Sequence, residues 1–143
     1  MFELPPEVQQ WIVLVYMMIL GACLGSFGNV VIYRMPLGKS IVKPGSTCGS
    51  CLQPIKYRHN IPIFGWFILR GRCANCGARY SIRYAMVELL TAGLFGWAWL
   101  RFGLSWTLVE ALIFIFGLVV CSFIDLDHMI LPDKFTLSGI AIG

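Results

Sequence analysis

From Trp11 to Tyr33 the chain runs for 23 residues without one charged side chain. A helix needs about 20 apolar residues to cross the hydrocarbon core of a bilayer, so this run is long enough to span. A second apolar run extends from Tyr84 to Leu100, broken only by Glu88, and a third from about Ala111 to Ile124. Between them, Arg101 to Glu110 reads as a short turn on the far side. With 58% of residues hydrophobic and only 13% charged, the chain has too little polar surface for a soluble domain of its size. The predicted fold is an all-α polytopic membrane protein with three complete transmembrane helices. A fourth begins at Phe135, and the nine residues from there to Gly143 are too few to cross, so the sequence reads as truncated.

Charge sets the expected orientation. Arg34, Lys39, Lys43, Lys56, Arg58, Arg70, Arg72, Arg79 and Arg83 fall in one segment that contains no Asp or Glu. An acid-free basic loop beside membrane spans belongs in the cytosol by the positive-inside rule. Its cations are suited to the anionic lipid of the inner leaflet, and no nucleic-acid partner is expected. Residues 1–10 hold Glu3 and Glu7 but no Lys or Arg, which places the N-terminus outside and argues against a cleaved signal peptide. Three parts result: 1–33, an external N-terminus with the first span; 34–83, the basic cytosolic loop; and 84–143, carrying the remaining spans.

Within the loop, Cys48-Gly49-Ser50-Cys51 and Cys73-Ala74-Asn75-Cys76 form two Cys-x-x-Cys pairs. Their spacing matches a tetrahedral zinc site of four thiolates, a closed site that organises chain and leaves no position for catalysis. Gly49 and Gly77 offer backbone freedom for the tight turns, and Arg70, Arg72 and Arg79 offset thiolate charge. The alternatives are two disulfides, disfavoured in a reducing cytosol, and thioredoxin-like redox pairs, for which the surrounding βαβ pattern is missing. Otherwise the Gly- and Pro-rich loop is expected to hold turns and short strands. Cys23 and Cys121 lie in apolar runs and read as small buried hydrophobes.

Gly21 and Gly25, like Ala22 and Ser26, are one helical turn apart, a spacing that lets helices approach closely in lipid. Asn29 nearby is expected to link helices through its amide. Glu88 is expected to snorkel toward Arg83. Asp125, Asp127 and Asp133 follow the third run, where a membrane-boundary carboxylate is either solvated or catalytic, and Asp127 and Asp133 are expected to be solvated. Asp125 and Asp127 are two apart, so on a helix they face different sides and make a poor catalytic pair by themselves.

The sequence resembles the N-terminal half of bacterial type IV prepilin leader peptidases/N-methyltransferases. The likeness covers Gly25-Ser26-Phe27-Gly28-Asn29-Val30-Val31-Ile32-Tyr33-Arg34-Met35-Pro36, both cysteine pairs with Arg70-Gly71-Arg72, and Arg83-Tyr84 with Val87-Glu88-Leu89-Leu90. It continues through Ile124-Asp125-Leu126-Asp127-His128 to Ile130-Leu131-Pro132-Asp133. The resemblance implies a multi-pass aspartic endopeptidase of the bacterial inner membrane. Such an enzyme removes the leader peptide from prepilins and type II secretion pseudopilins, then methylates the new N-terminus with S-adenosylmethionine. Asp125 matches the family's first catalytic aspartate, and Cys48, Cys51, Cys73 and Cys76 match its cytosolic tetrad. The family's second aspartate lies in a Gly-x-Gly-Asp motif that these 143 residues do not contain, so the chain alone is expected to be inactive. The alternative function is a non-enzymatic, membrane-anchored zinc-ribbon adaptor.

Overall fold

The computed structural model describes residues 5–43, 45–128 and 140. Among the described residues, α-helices follow in chain order as α1 (Pro6–Arg34), α2 (Phe64–Leu69), α3 (Arg83–Phe102) and α4 (Trp106–His128). A 3-10 turn covers Tyr57–His59. Proline opens the first turn of α1, where its missing N–H costs nothing, and Glu7 near the start and Arg34 at the end complement the helix dipole. At about 1.5 Å per residue, the 29 residues of α1 exceed the thickness of a bilayer's hydrocarbon core.

Among the described residues, two helices are long and apolar enough to cross a membrane, Pro6–Arg34 and Trp106–Asp127. The 20-residue α3, expected as a complete span, does not meet the same measure. Glu88 interrupts its apolar sequence and Arg83 and Arg101 charge its ends. The expected start of a fourth span, and Asp133 before it, lie outside the described residues. The turn predicted from Arg101 to Glu110 is much shorter. Helix α3 continues to Phe102 and α4 begins at Trp106, because the Ser105 hydroxyl caps α4 by accepting the Leu108 amide at 3.2 Å.

Helices α1 and α3 run antiparallel in close contact, through the small residues that the sequence had singled out. A Cβ on Gly21 would lie 2.7 Å from the Thr91 carbonyl and 2.8 Å from the Ala92 Cα, and one on Gly25 would lie 2.8 Å from the Glu88 Cα. Asn29 is buried and its side-chain amide donates to the Tyr84 carbonyl at 3.0 Å, tying the two helices as expected. Helix α4 packs where Gly28 faces Phe116 and Val120. The core of Val31, Ile32, Val87, Val119, Val120 and Ile124 gathers at that same end. Farther along α1, Trp11, Val15, Tyr16 and Ile19 are exposed, as suits side chains that meet lipid. Cys121 is half-buried but Cys23, expected to be buried, is exposed.

The Gly21 contacts are with backbone, which no rotamer change can relieve. Gly21→Ala is therefore expected to push the helices apart and cost about 1–3 kcal/mol by overpacking, read as a lower unfolding temperature in detergent. Gly93→Ala on the same helix pair has open space around its Cβ and should leave that temperature unchanged or raise it. Equal responses from the two would mean that close approach does not hold α1 and α3 together.

Candidate functional site

The loop after α1 is turned back by Arg34, whose guanidinium donates to the carbonyls of Ser40 at 3.2 Å and Gly45 at 2.9 Å. Beyond it the two cysteine pairs are built on one plan. The Cys48 amide donates to the Gln53 carbonyl at 3.0 Å and the Cys73 amide to the Ala78 carbonyl at 2.8 Å. The Leu52 amide returns to the Cys48 carbonyl at 3.0 Å, and that of Gly77 to Cys73 at 2.9 Å. Amides of Ser50 and Asn75 point at the sulfurs of Cys48 and Cys73, each at 3.5 Å. An isolated antiparallel bridge closes each base, Thr47 with Pro54 and Arg72 with Arg79. Among the described residues these bridges stand in place of the short strands expected there.

Each knuckle needs one left-handed residue just after its second cysteine. Gly77 fills that position in one, with φ 70°, but Leu52 fills it in the other, with φ 57°. Gly49, expected to serve this purpose, does not take a positive φ. The plan is thus set by hydrogen bonding around the sulfurs rather than by where glycine occurs.

Together the knuckles bring Cys48, Cys51, Cys73 and Cys76 into one cluster, all four sulfurs within 4.8 Å of one another. Cys48 and Cys76 are 3.8 Å apart and Cys51 and Cys73 are 4.0 Å apart. A tetrahedron with metal–sulfur bonds of about 2.3 Å has edges of about 3.8 Å, so the donor set fits a tetrahedral metal ion. Both of these short sulfur–sulfur contacts join opposite knuckles, and with all four sulfurs gathered the arrangement suits one shared ion.

Electrostatics divide the thiols of Cys48, Cys73 and Cys76. Amides of Cys51 and Ser50 stabilise the thiolate of Cys48 and bring its pKa down to about 6. Cys73 is lowered in the same way by the amides of Cys76 and Asn75. At Cys76 the Ala78 amide favours the thiolate, but burial and the neighbouring sulfurs outweigh it and push the pKa up to about 11. The first cysteine of each knuckle is better disposed to the thiolate form, and a cation in the middle is what would let Cys76 join them.

Arg83, at the start of α3, reaches across to the last turns of α4. It pairs with the Asp127 carboxylate, donates to the Phe123 carbonyl at 3.0 Å, and lies 5.0 Å from the centre of the Phe123 ring. Asp127, expected to be merely solvated, is thus an anchor. Asp125, two residues earlier on α4, is exposed and makes no hydrogen bond or ion pair among the described residues. The two carboxylates face different surroundings, as their spacing required. Glu88 does not turn toward Arg83. It is buried and accepts the Ile63 amide at 2.6 Å. Sequence reasoning missed both contacts, because Asp127 and Ile63 are distant in the chain from the groups they meet.

The profile of the bacterial peptidase A24 N-terminal domain matches residues 19–102. The match takes in Asn29, both knuckles and Glu88, and ends before α4 and Asp125. A prepilin leader peptidase/N-methyltransferase of Myxococcus xanthus (strain DK1622) is 48% identical over 129 residues, which cover 90% of this chain and 38% of that protein. The protein of the same name from Neisseria gonorrhoeae is 38% identical over 149 residues, covering 87% of this chain and 52% of its own length. A type 4 prepilin-like proteins leader peptide-processing enzyme of Escherichia coli O78:H11 is 41% identical over 134 residues, with 81% and 50% covered. The chain thus spans about half or less of the length of these relatives. No solved structure matches it. With more than half of its length under the family profile, the chain belongs to the bacterial peptidase A24 N-terminal domain family.

Proposed function

We propose that this chain supplies the N-terminal part of a membrane aspartic endopeptidase that removes the leader peptide from type IV prepilins or type II secretion pseudopilins and N-methylates the new N-terminus. Its setting is the bacterial inner membrane, with residues 1–33 forming the outer terminus and first span, 34–83 the cytosolic loop, and 84–143 the remaining spans, α3 among them. Asp125 is one of two catalytic carboxylates. Such a pair shares a proton, and the ionised member takes a proton from water as it attacks the scissile carbonyl. The partner carboxylate comes from a Gly-x-Gly-Asp sequence outside these 143 residues, and without it the chain is inactive.

The observation that supports this reading is the contrast at the end of α4. Asp127 is engaged by Arg83, while Asp125, two residues away, is exposed and has no structural employment among the described residues. Arg83 fixes the helix end and leaves Asp125 free to meet substrate. Cys48, Cys51, Cys73 and Cys76 would hold a zinc ion, which supplies structural cross-linking of the loop. S-adenosylmethionine is the methyl donor implied by the family.

The test joins this chain to the C-terminal half of the Myxococcus xanthus relative and presents a prepilin in membranes. The chimera is expected to cleave the leader, and the chain alone to leave it intact. No cleavage by a chimera that folds and retains its metal would favour the adaptor reading. Cleavage by the chain alone would remove the need for a second aspartate from elsewhere.

A further inference from the structure

Residues 61–69, Ile-Pro-Ile-Phe-Gly-Trp-Phe-Ile-Leu, form a nine-residue apolar stretch inside an otherwise basic loop. It does not hang free below the helices. The Ile63 amide donates to Glu88, and Gly25 packs against the Cα of that same Glu88. An open cleft of about 360 Å³ lies between α1 and the loop, with Cys23 and Ser26 on the helix side and Ile41, Ser46, Asn60 and Pro62 on the loop side. Ser26 lies eight residues before Arg34, which at about 1.5 Å per residue puts it about 12 Å up the helix from its charged end. The loop therefore climbs back along α1 and α3 and reverses at Ile63.

The reversal is tight. Ile63 has φ 65° and ψ −59°, and the Phe64 amide donates to the Pro62 carbonyl at 2.7 Å, a γ-turn of the rare positive-φ kind. A β-branched residue is strained in that region. The Gly65 amide returns to the Ile61 carbonyl at 2.7 Å. The amides of Ile63, Phe64 and Gly65 thus all have acceptors inside the protein. Such satisfaction is what non-helical backbone requires at membrane depth, where water cannot supply a partner. After the turn, Phe64, Phe67 and Ile68 share one face of α2 and are all exposed. Gly65 packs on the His59 carbonyl on the other side. Exposed Lys56 and Arg58 precede the segment, exposed Arg70 and Arg72 follow it, and no acid lies between Arg34 and Arg83.

We propose that residues 61–69 are a re-entrant membrane anchor, in which Phe64, Phe67 and Ile68 enter the acyl boundary of the bilayer while the flanking cations meet lipid phosphates, with Glu88 pinning the turn. The occupant of this face is lipid. It continues the exposed apolar wall formed at the same level by Phe27 on α1 and Leu89 on α3, and its border carries the charge that anionic headgroups attract. On this basis Glu88 stands within an apolar helix because it satisfies a re-entrant amide. The inference rests on the membrane reading of α1 and α4, but not on any peptidase activity.

The test is photocrosslinking of the whole chain in nanodiscs of phosphatidylethanolamine and phosphatidylglycerol. The photoreactive residue p-benzoylphenylalanine is placed singly at Phe67, at Leu52 on a knuckle, or at Phe114 on α4, and retained metal content reports folding of each variant. Lipid adducts at Phe67 are expected near the level at Phe114 and at least roughly tenfold above Leu52, as for a side chain inserted several ångströms into the acyl boundary. Labelling of Phe114 with Phe67 no higher than Leu52 would overturn the anchor while leaving the membrane reading intact. A covalent dimer or an adduct with an added prepilin, in place of lipid at Phe67, would overturn it too, in favour of a protein-docking face. Failure at both Phe114 and Phe67 would remove the membrane reading and the anchor together.

Discussion

Stripping the metal proposed for the four cysteines is expected to unfold the knuckles between residues 45 and 80 while leaving α1, α3 and α4 packed. From 45 to 82 the buried residues are Gly65 and Gly71 alone, so this part of the chain has no apolar core to hold it once the cross-link is gone. Structural zinc contributes about 10–16 kcal/mol of apparent binding free energy in small zinc-finger peptides. That far exceeds what the few hydrogen bonds within each knuckle supply at about 1 kcal/mol each. The helices lose little, because their contacts at Gly21, Gly25 and Asn29 do not pass through the loop. Hydrogen exchange should show protection lost at the amides of Cys48, Cys73 and Gly77 and kept in the helices. Cys51→Ser removes one donor and should lower metal affinity by well over the roughly 10–100-fold that loss of even an outer partner costs. Unchanged protection after chelation would mean that the loop stands without metal. Two disulfides found in the purified protein would place the loop in an oxidising compartment and reverse the orientation.

The cysteine cluster was legible in advance because Cys-x-x-Cys spacing is a local geometric constraint, and the cluster needed only the two knuckles to meet. The α1–α3 contact was legible for a similar reason. Gly21, Gly25 and Asn29 lie on one helical face, and a face of small residues with one amide has few uses in lipid other than close packing. The fold-back at Ile63 was obscured by composition. Pro62 and Gly65 belong to a Gly- and Pro-rich loop expected to hold turns, and the uncharged residues 61–69 around them are too few to span. Glu88 was matched to Arg83 by proximity in sequence. Five residues apart on a helix they point to different sides, and each takes a partner from elsewhere: Glu88 the Ile63 amide, 25 positions away, and Arg83 Asp127, 44 positions away. Pairings of that range are set by the packing of α1, α3 and α4, which no local pattern encodes. The turn expected from Arg101 to Glu110 ends early because Ser105 within it is a helix cap.

The two aspartates of α4 should answer to substitution in opposite ways. In the chimera with a C-terminal half, Asp125→Asn is expected to lower the rate of leader cleavage by about 10³–10⁴-fold, since an amide can neither share the proton nor receive one from the attacking water. The substitution is nearly isosteric at an exposed position, so unfolding temperature and metal content should hold. Asp127→Asn removes the ion pair with Arg83. Both side chains are about a third exposed, at 32% and 35%, so solvent screening leaves the pair worth about 0.5 kcal/mol. Arg83 also keeps the Phe123 carbonyl and ring, which hold the helix end in place. A change of only a few-fold in cleavage is therefore expected at Asp127. Were Asp127→Asn the more damaging, the assignment would move from Asp125 to Asp127, and the Arg83 pair would become part of the reacting site. Were both harmless, the catalytic carboxylates would lie elsewhere, and α4 would serve the bundle alone.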